Sequence, residues 1–304
     1  MIQGGADNHI DRKDILRMSF LNLASWLPEY ENRVKTYVHR IIKEHPSVML
    51  LQGLDPDNYT INGLLDGMNG TLHMGEYVRT RFEHGDGDGK STVNAIWVRK
   101  GIRITDAKQL ELSAVADGKS ITLAPNAVRV TIKVRDTVFD IYNAESVPGA
   151  YNEELRRHIA RIIGRDAYVR KTRTRHHFDS IMVLAGNLHA TPDASSIRYL
   201  KGLETIWKAT PSAWRDVWEE LNSRKDRNDQ GIMERVDVAA KYGSLVLPTF
   251  RQPRKTTYFM VYDDAFGRKG TPVRIDRNGT GSGLRDGTPL SDSYGIDVDF
   301  YCPQ

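Results

Sequence analysis

Cysteine is almost absent: the 304 residues contain one, Cys302. No internal disulfide can form, so stability has to come from packing, a pattern that suits a reducing compartment. Long apolar runs are missing as well. Nothing approaches the roughly 20 consecutive apolar residues needed to cross a bilayer. Residues 1–14 read as a loose polar arm and lack the apolar core of a secretory leader. The reading is of a soluble, cytoplasmic chain with no membrane partner. Charge of one sign is not in marked excess either: the formal net charge is +4, which allows a polyanionic partner without requiring one. Internal repeats and Pro/Gly/Ser linkers are lacking. With 39% hydrophobic and 27% charged residues, the chain has the makings of one large core, and residues 15–304 are expected to form a single domain.

What is present is a series of short β-branched and apolar segments broken by amphipathic stretches. Residues 18–25 and 48–52 read as buried strands. Between them, 28–44 carry Val34, Tyr37, Val38, Ile41 and Ile42 on one helical face. Strands follow at 94–99, 102–104, 128–134 and 138–142, the last two joined by a tight turn at Asp136 and Thr137. A second helix is expected over 151–163 and another buried strand over 181–185. Residues 196–245 read as a mainly helical insertion carrying Trp207, Trp214 and Trp218, which at that spacing suit a core better than a ligand cage. Strands close the chain at 257–262 and 296–301, and the Gly-rich 278–287 reads as a surface loop. Consecutive strands exclude a simple doubly wound sheet and favour two packed sheets with outer helices.

Tempting local motifs do not hold. In 84–91 (HGDGDGKS) only three residues separate Gly85 from Gly89, where a phosphate loop needs four. A calcium loop starting at Asp86 would need Glu at its twelfth position, which is Trp97. The adjacent His176 and His177 have no third ligand placed by spacing. Arg156, Arg157, Arg161, Arg165, Arg170, Lys171, Arg173 and Arg175 make a basic stretch, but Glu153, Glu154 and Asp166 interrupt it, which favours a solvated helix face over a phosphate-binding surface.

Several segments taken in order carry a resemblance. These are Phe20-Leu21-Asn22, Leu51-Gln52-Gly53, Val93-Asn94-Ala95-Ile96 and Tyr142-Asn143-Ala144-Glu145. They continue with Gly186 to Pro192 (GNLHATP), Thr249 to Phe259 (TFRQPRKTTYF) and Ser291 to Gly295 (SDSYG). In order and spacing the chain resembles the endonuclease/exonuclease/phosphatase superfamily, which includes pancreatic-type deoxyribonuclease and abasic-site endonucleases. The resemblance implies an α+β fold, a four-layer α/β sandwich of two packed mixed β-sheets flanked by helices, DNase I-like. It also implies phosphoester hydrolysis: a Glu after Leu-Gln holding magnesium, an Asp orienting the attacking water, an Asn on the phosphate, and two His residues stabilising charge.

At the matching positions this chain has other chemistry. The metal-binding Glu is Gly53, the first His is Glu145, the water-orienting Asp is Asn187, and the phosphate Asn is His189. The Asp of the late strand is Thr257 and the last His is Ser293; Asn22 and Asp292 alone keep the residue that the family has. Magnesium wants carboxylate oxygen, and an amide is a poor base. A carboxylate at Glu145 also reverses the charge that a phosphoryl group needs. The expectation is therefore a cleft that has lost its metal, needs no cofactor, and is reused for metal-independent acid/base chemistry on a small molecule, such as a biosynthetic condensation or cyclisation. Glu145, His189 and Asp292 are the candidate catalytic residues. Asn22, Asn143, Asn187, Thr257 and Ser293 would bind substrate, with Arg79 and Arg81 as anion contacts. A residual magnesium-dependent nuclease or phosphodiesterase, and a non-catalytic protein that binds nucleic acid or protein, are the alternatives.

Overall fold

The strands form where apolar runs can be covered on both faces. In β1 (Ile15–Asn22) Met18 and Phe20 point one way and Leu21 the other, and all three are fully buried. The computed structural model describes residues 12–23, 27–43, 45–67, 70–74, 93–110, 114–116, 119–121, 127–147, 152–173, 180–206, 212–222, 255–267, 269–278 and 295–303. After β1 come α1 (Tyr30–Lys43), β2 (Val48–Leu54), α2 (Tyr59–Gly67), β3 (Gly70–Met74) and β4 (Val93–Arg99). Next are β5 (Arg103–Leu110), a small hairpin of β6 (Ala114–Ala116) and β7 (Lys119–Ile121), β8 (Ala127–Val134), β9 (Thr137–Ala144) and α3 (Glu153–Arg173). The chain continues through β10 (Ile181–Asn187), α4 (Ser195–Leu200), β11 (Trp214–Asp216), α5 (Val217–Asn222), β12 (Thr257–Tyr262), β13 (Thr271–Asn278) and β14 (Gly295–Tyr301).

These strands make two six-stranded sheets, ordered β13-β14-β1-β2-β4-β3 and β11-β12-β10-β9-β8-β5. Each is antiparallel except for one parallel pair at its centre, β1 with β2 and β9 with β10. Between the sheets lies a core that includes Phe20, Leu50, Ile96, Val130, Ile141, Val183, Phe259 and Phe300. The alternate residues face outward into two further clusters. Leu21, Met49, Leu51 and Trp97 join Val34 and Tyr37 of α1, while Tyr142, Met182 and Leu184 join Ile159 and Ile163 of α3 and Tyr199 of α4. The order is thus helix, sheet, sheet, helix, as the sequence predicts. Burial on both faces is why the central strands read as unbroken apolar runs. Each large side chain buried this way contributes roughly 1.5–3 kcal/mol.

Two expectations need correction. The second helix runs on to Arg173, beyond the expected 163. Its second half hides an amphipathic period because its cations turn inward. Arg170 bonds Asp140 at 2.7 Å and Thr131 at 2.9 Å, and Lys171 donates to the Ser180 carbonyl at 2.6 Å and pairs with Asp264 at 2.7 Å. Arg156 is likewise buried and bonds Glu153 at 2.8 Å. Much of the basic stretch therefore holds the fold together. The region expected to be mainly helical is mixed where it is described: Trp214 lies on β11, packed edge-on against Tyr142 and Tyr262. Trp207 and 223–245 lie outside the described residues. The sequence reading also passed over α2, which starts where the Asn58 side chain accepts the Ile61 amide at 3.0 Å, an N-cap bond. At the arm, Asp14 is held by Arg135 at 2.7 Å. Cys302 is buried beside it, which pushes its thiol up to about 11.

Candidate active site

The two central parallel pairs end at one edge of the sandwich, where the buried side chains of Gln52 and Asn143 join them. Gln52, 1% exposed at the end of β2, donates from its amide nitrogen to the Asn143 Oδ1 of β9 at 3.1 Å. Its own oxygen accepts the backbone N–H of Asn187, at the end of β10, at 2.9 Å. Asn143 completes the bridge by donating to the carbonyls of Leu51 at 2.8 Å and Ala95 at 2.9 Å. Gly186 permits this approach: a Cβ there would sit 1.8 Å from the Ala144 carbonyl oxygen and 2.8 Å from Gln52 Nε2.

Above this floor the strand ends turn. Asn187 Oδ1 accepts the His189 N–H at 3.3 Å, the Asn187 carbonyl accepts the Ser146 N–H at 3.1 Å, and the Leu188 N–H donates to the Thr256 carbonyl at 2.9 Å. His189 is held at a φ of 50°, left-handed backbone that a non-glycine residue seldom adopts. Strain of this kind persists where surrounding bonds over-determine it, and it concentrates at functional positions.

The turn brings together two of the three candidate catalytic residues singled out from sequence. His189 Nε2 lies 3.5 Å from Glu145 Oε1, the outer limit of a hydrogen bond. The two side chains differ in access: His189 is 2% exposed and Glu145 18%. His189 Nδ1 is buried, with no hydrogen-bond partner among the described residues. Placing the ring proton on Nε2, where Glu145 accepts it, avoids an orphaned buried N–H, and the tautomer is assigned on that ground.

The other expected site residues divide into three groups. Asn22 and Thr257 sit at strand ends, Asn22 opposite Gln52 and Thr257 opposite Asn187, with exposures of 8% and 3%. Asn143 is fully buried, and its amide is committed to joining the sheets, so it supports the floor rather than reaching a ligand. Asp292, Ser293, Arg79 and Arg81 lie outside the described residues. Sequence reasoning missed Gln52, although one signal pointed to it: a lone amide at the end of the apolar run VMLLQ.

The residues present do not suit a divalent cation at the family position. Gly53 offers no side-chain ligand, and its backbone has a φ of 64°. The pairing of β2 with β4 slips between Leu51 and Leu54, so Gly53 lies in an irregular, bulged stretch rather than a regular strand end. Asn187 uses its side-chain oxygen on His189. Among the described residues no group of three His, Cys, Asp or Glu side chains could hold a metal. The nearby buried cation Lys255 is paired with Asp216 at 2.5 Å. Behind the pair, Ser146 and Leu188 line a cavity of about 10 Å3 closed by Arg156, Ile159 and Ser196, room for one water rather than a substrate.

No protein-family model matches the chain, and no curated protein matches its sequence. Solved structures do match. A D. rerio TDP2 complexed with a single-strand DNA product superposes with a TM-score of 0.68 at 14% identity, over 94% of this chain and 98% of that one. The human Nocturnin catalytic domain, with bound sulfate, gives 0.68 at 12% identity over 95% and 94%. An endonuclease/exonuclease/phosphatase protein from Bacteroides vulgatus gives 0.64 at 14% identity over 95% and 99%. Sheet order, layer order and these superpositions agree: the chain has the DNase I-like fold of the endonuclease/exonuclease/phosphatase proteins.

Proposed function

We propose that this chain has given up metal-dependent phosphoester hydrolysis and uses the same cleft for metal-independent acid/base chemistry on a small molecule. The observation that carries the reading is the pairing of Glu145 with His189, at 3.5 Å, at strand ends where the residue matching the family's metal ligand is Gly53. Carboxylate and imidazole together are a common proton-transfer unit. Their unequal burial assigns the roles. Glu145, the more accessible, takes a proton from the substrate and returns it to another atom. His189, behind it, donates its Nε2–H to the carboxylate and fixes its direction. Asn22 and Thr257 supply neutral polar contacts, which suits a substrate that brings no phosphoryl charge. A condensation or cyclisation, in which a proton leaves one atom and is delivered to another, is the reaction class that such a pair serves without a metal.

The test is a ligand screen followed by turnover in metal-free buffer. Compounds that raise the melting temperature are carried to assays with and without EDTA. Turnover that resists EDTA and falls at least about 100-fold in Glu145→Gln supports the reading, since general acid/base groups typically contribute 10²–10⁴-fold. An activity of the native chain that Glu145→Gln leaves untouched overturns it.

A further inference from the structure

We infer that Gln52 is a positioning residue for the Glu145–His189 pair, a cross-sheet amide that aligns the two strand ends carrying it. This deepens the function proposed above and rests on it for the importance of the pair. Two residues before Glu145 stands Asn143, and two residues before His189 stands Asn187. Gln52 binds both at once, Asn143 Oδ1 at 3.1 Å and the Asn187 N–H at 2.9 Å. One side chain from the first sheet therefore sets the separation of the two strand ends of the second sheet that carry the pair.

The bonds have a fixed sense. Asn143 Nδ2 is held by the carbonyls of Leu51 and Ala95, so Asn143 must present its oxygen to Gln52, and the Gln52 nitrogen must face it. The Gln52 oxygen is then left for Asn187. From Asn187 the order passes through its own Oδ1 to the His189 N–H at 3.3 Å, which holds the left-handed turn. All three amide side chains are at most 8% exposed, so water does not substitute readily for a lost bond. A shift of a few tenths of an ångström here matters, because the His189–Glu145 contact already stands at the hydrogen-bond limit.

The experiment is NMR of the uniformly 15N-labelled full chain, following solvent exchange of the His189 Nε2–H. The native chain is expected to show a protected ring N–H signal. Gln52→Met, close in volume but without donor or acceptor, is expected to speed its exchange about tenfold or to erase it, in line with the loss of one hydrogen bond's worth of order. Gln52→Asn keeps an amide but is one methylene too short to reach both partners; it carries the same expectation should Gln52→Met fail to fold. Ile132→Val, which loosens the core between the sheets without touching the amides, should leave the exchange unchanged. Unchanged exchange in the Gln52 variants overturns the inference. So does an equal effect in Ile132→Val, which would mark the signal as a report on global stability. The readout needs no substrate, so its failure is distinct from a failure of Glu145→Gln to affect activity.

Discussion

The two parallel pairs at the centres of the sheets, β1 with β2 and β9 with β10, occupy matching places in the fold yet end in different chemistry. The first pair ends in Asn22, Gln52 and Gly53, which carry no charge. The second ends in turns that present Glu145 and His189. In the family pattern the first pair contributes the metal carboxylate. Here that position is Gly53, and the ionisable pair Glu145 and His189 stands on the second. The chemistry at strand ends can differ with the sandwich unchanged, because apolar burial on both faces of the strands holds the layers.

The largest expected effect lies behind the second pair. Asp140 on β9 is fully buried and bonded to Arg170 at 2.7 Å and Thr131 at 2.5 Å. Asp140→Ala should cost about 3–5 kcal/mol by urea unfolding, because it takes away the buried carboxylate that pairs with Arg170 at 2.7 Å and leaves the longer 3.4 Å contact to Asp106. Next is Gly186→Ala on β10. Its new Cβ meets the backbone at 1.8 Å, and the expected loss is about 3 kcal/mol, the upper range for overpacking. On the first pair the matching change is Gly53→Glu, which restores the family carboxylate. The left-handed φ of 64° makes it cost roughly 1–2 kcal/mol. Calorimetric titration with magnesium should show no tight binding, since the other ligands are missing too. A Gly53→Glu variant that folds at native stability and binds magnesium would erase the difference between the two pairs.

The smallest effect concerns pH. Asp297 on β14, beside β1, is pushed above the ordinary carboxylate value, first by burial and against the bonds from Ser19 and Asn278. A carboxyl raised in the folded state binds its proton more tightly there than when unfolded. Its contribution is present in full below the unfolded value near 3.8 and is lost as pH rises through the raised folded value. Asp297→Asn keeps the oxygen that accepts from Ser19 at 2.6 Å and Asn278 at 2.8 Å. It should be less stable than or equal to native at low pH and gain on it as pH rises, by no more than about 1 kcal/mol, in melts at a series of pH values. A variant that instead loses ground to the native chain as pH rises would contradict the assignment.

How much of this was legible beforehand follows from the same physics. Strands such as 48–52 and 181–185 announced themselves because covered sheets demand apolar residues on both faces. The Glu145–His189 juxtaposition was legible only through the order of family-like segments; no local spacing joins residues 44 apart. The second half of α3 was hidden because its inward contacts are made by Arg170 and Lys171, whose charge reads as surface. Gln52 was hidden for the opposite reason: one amide in an apolar run says nothing of the two asparagines that it will meet across a sheet boundary. The left-handed turn at His189 has no sequence signature, since histidine does not advertise a positive φ as glycine does.

The proposed function requires that the hydrolytic metal site be gone. The measurement that tests it most directly is hydrolysis of plasmid DNA and a generic phosphodiester with magnesium or manganese, with EDTA as control. No turnover above the control is predicted at any protein concentration. EDTA-sensitive turnover, proportional to protein and abolished by Asp292→Ala, would contradict the account and show that a metal has found other ligands.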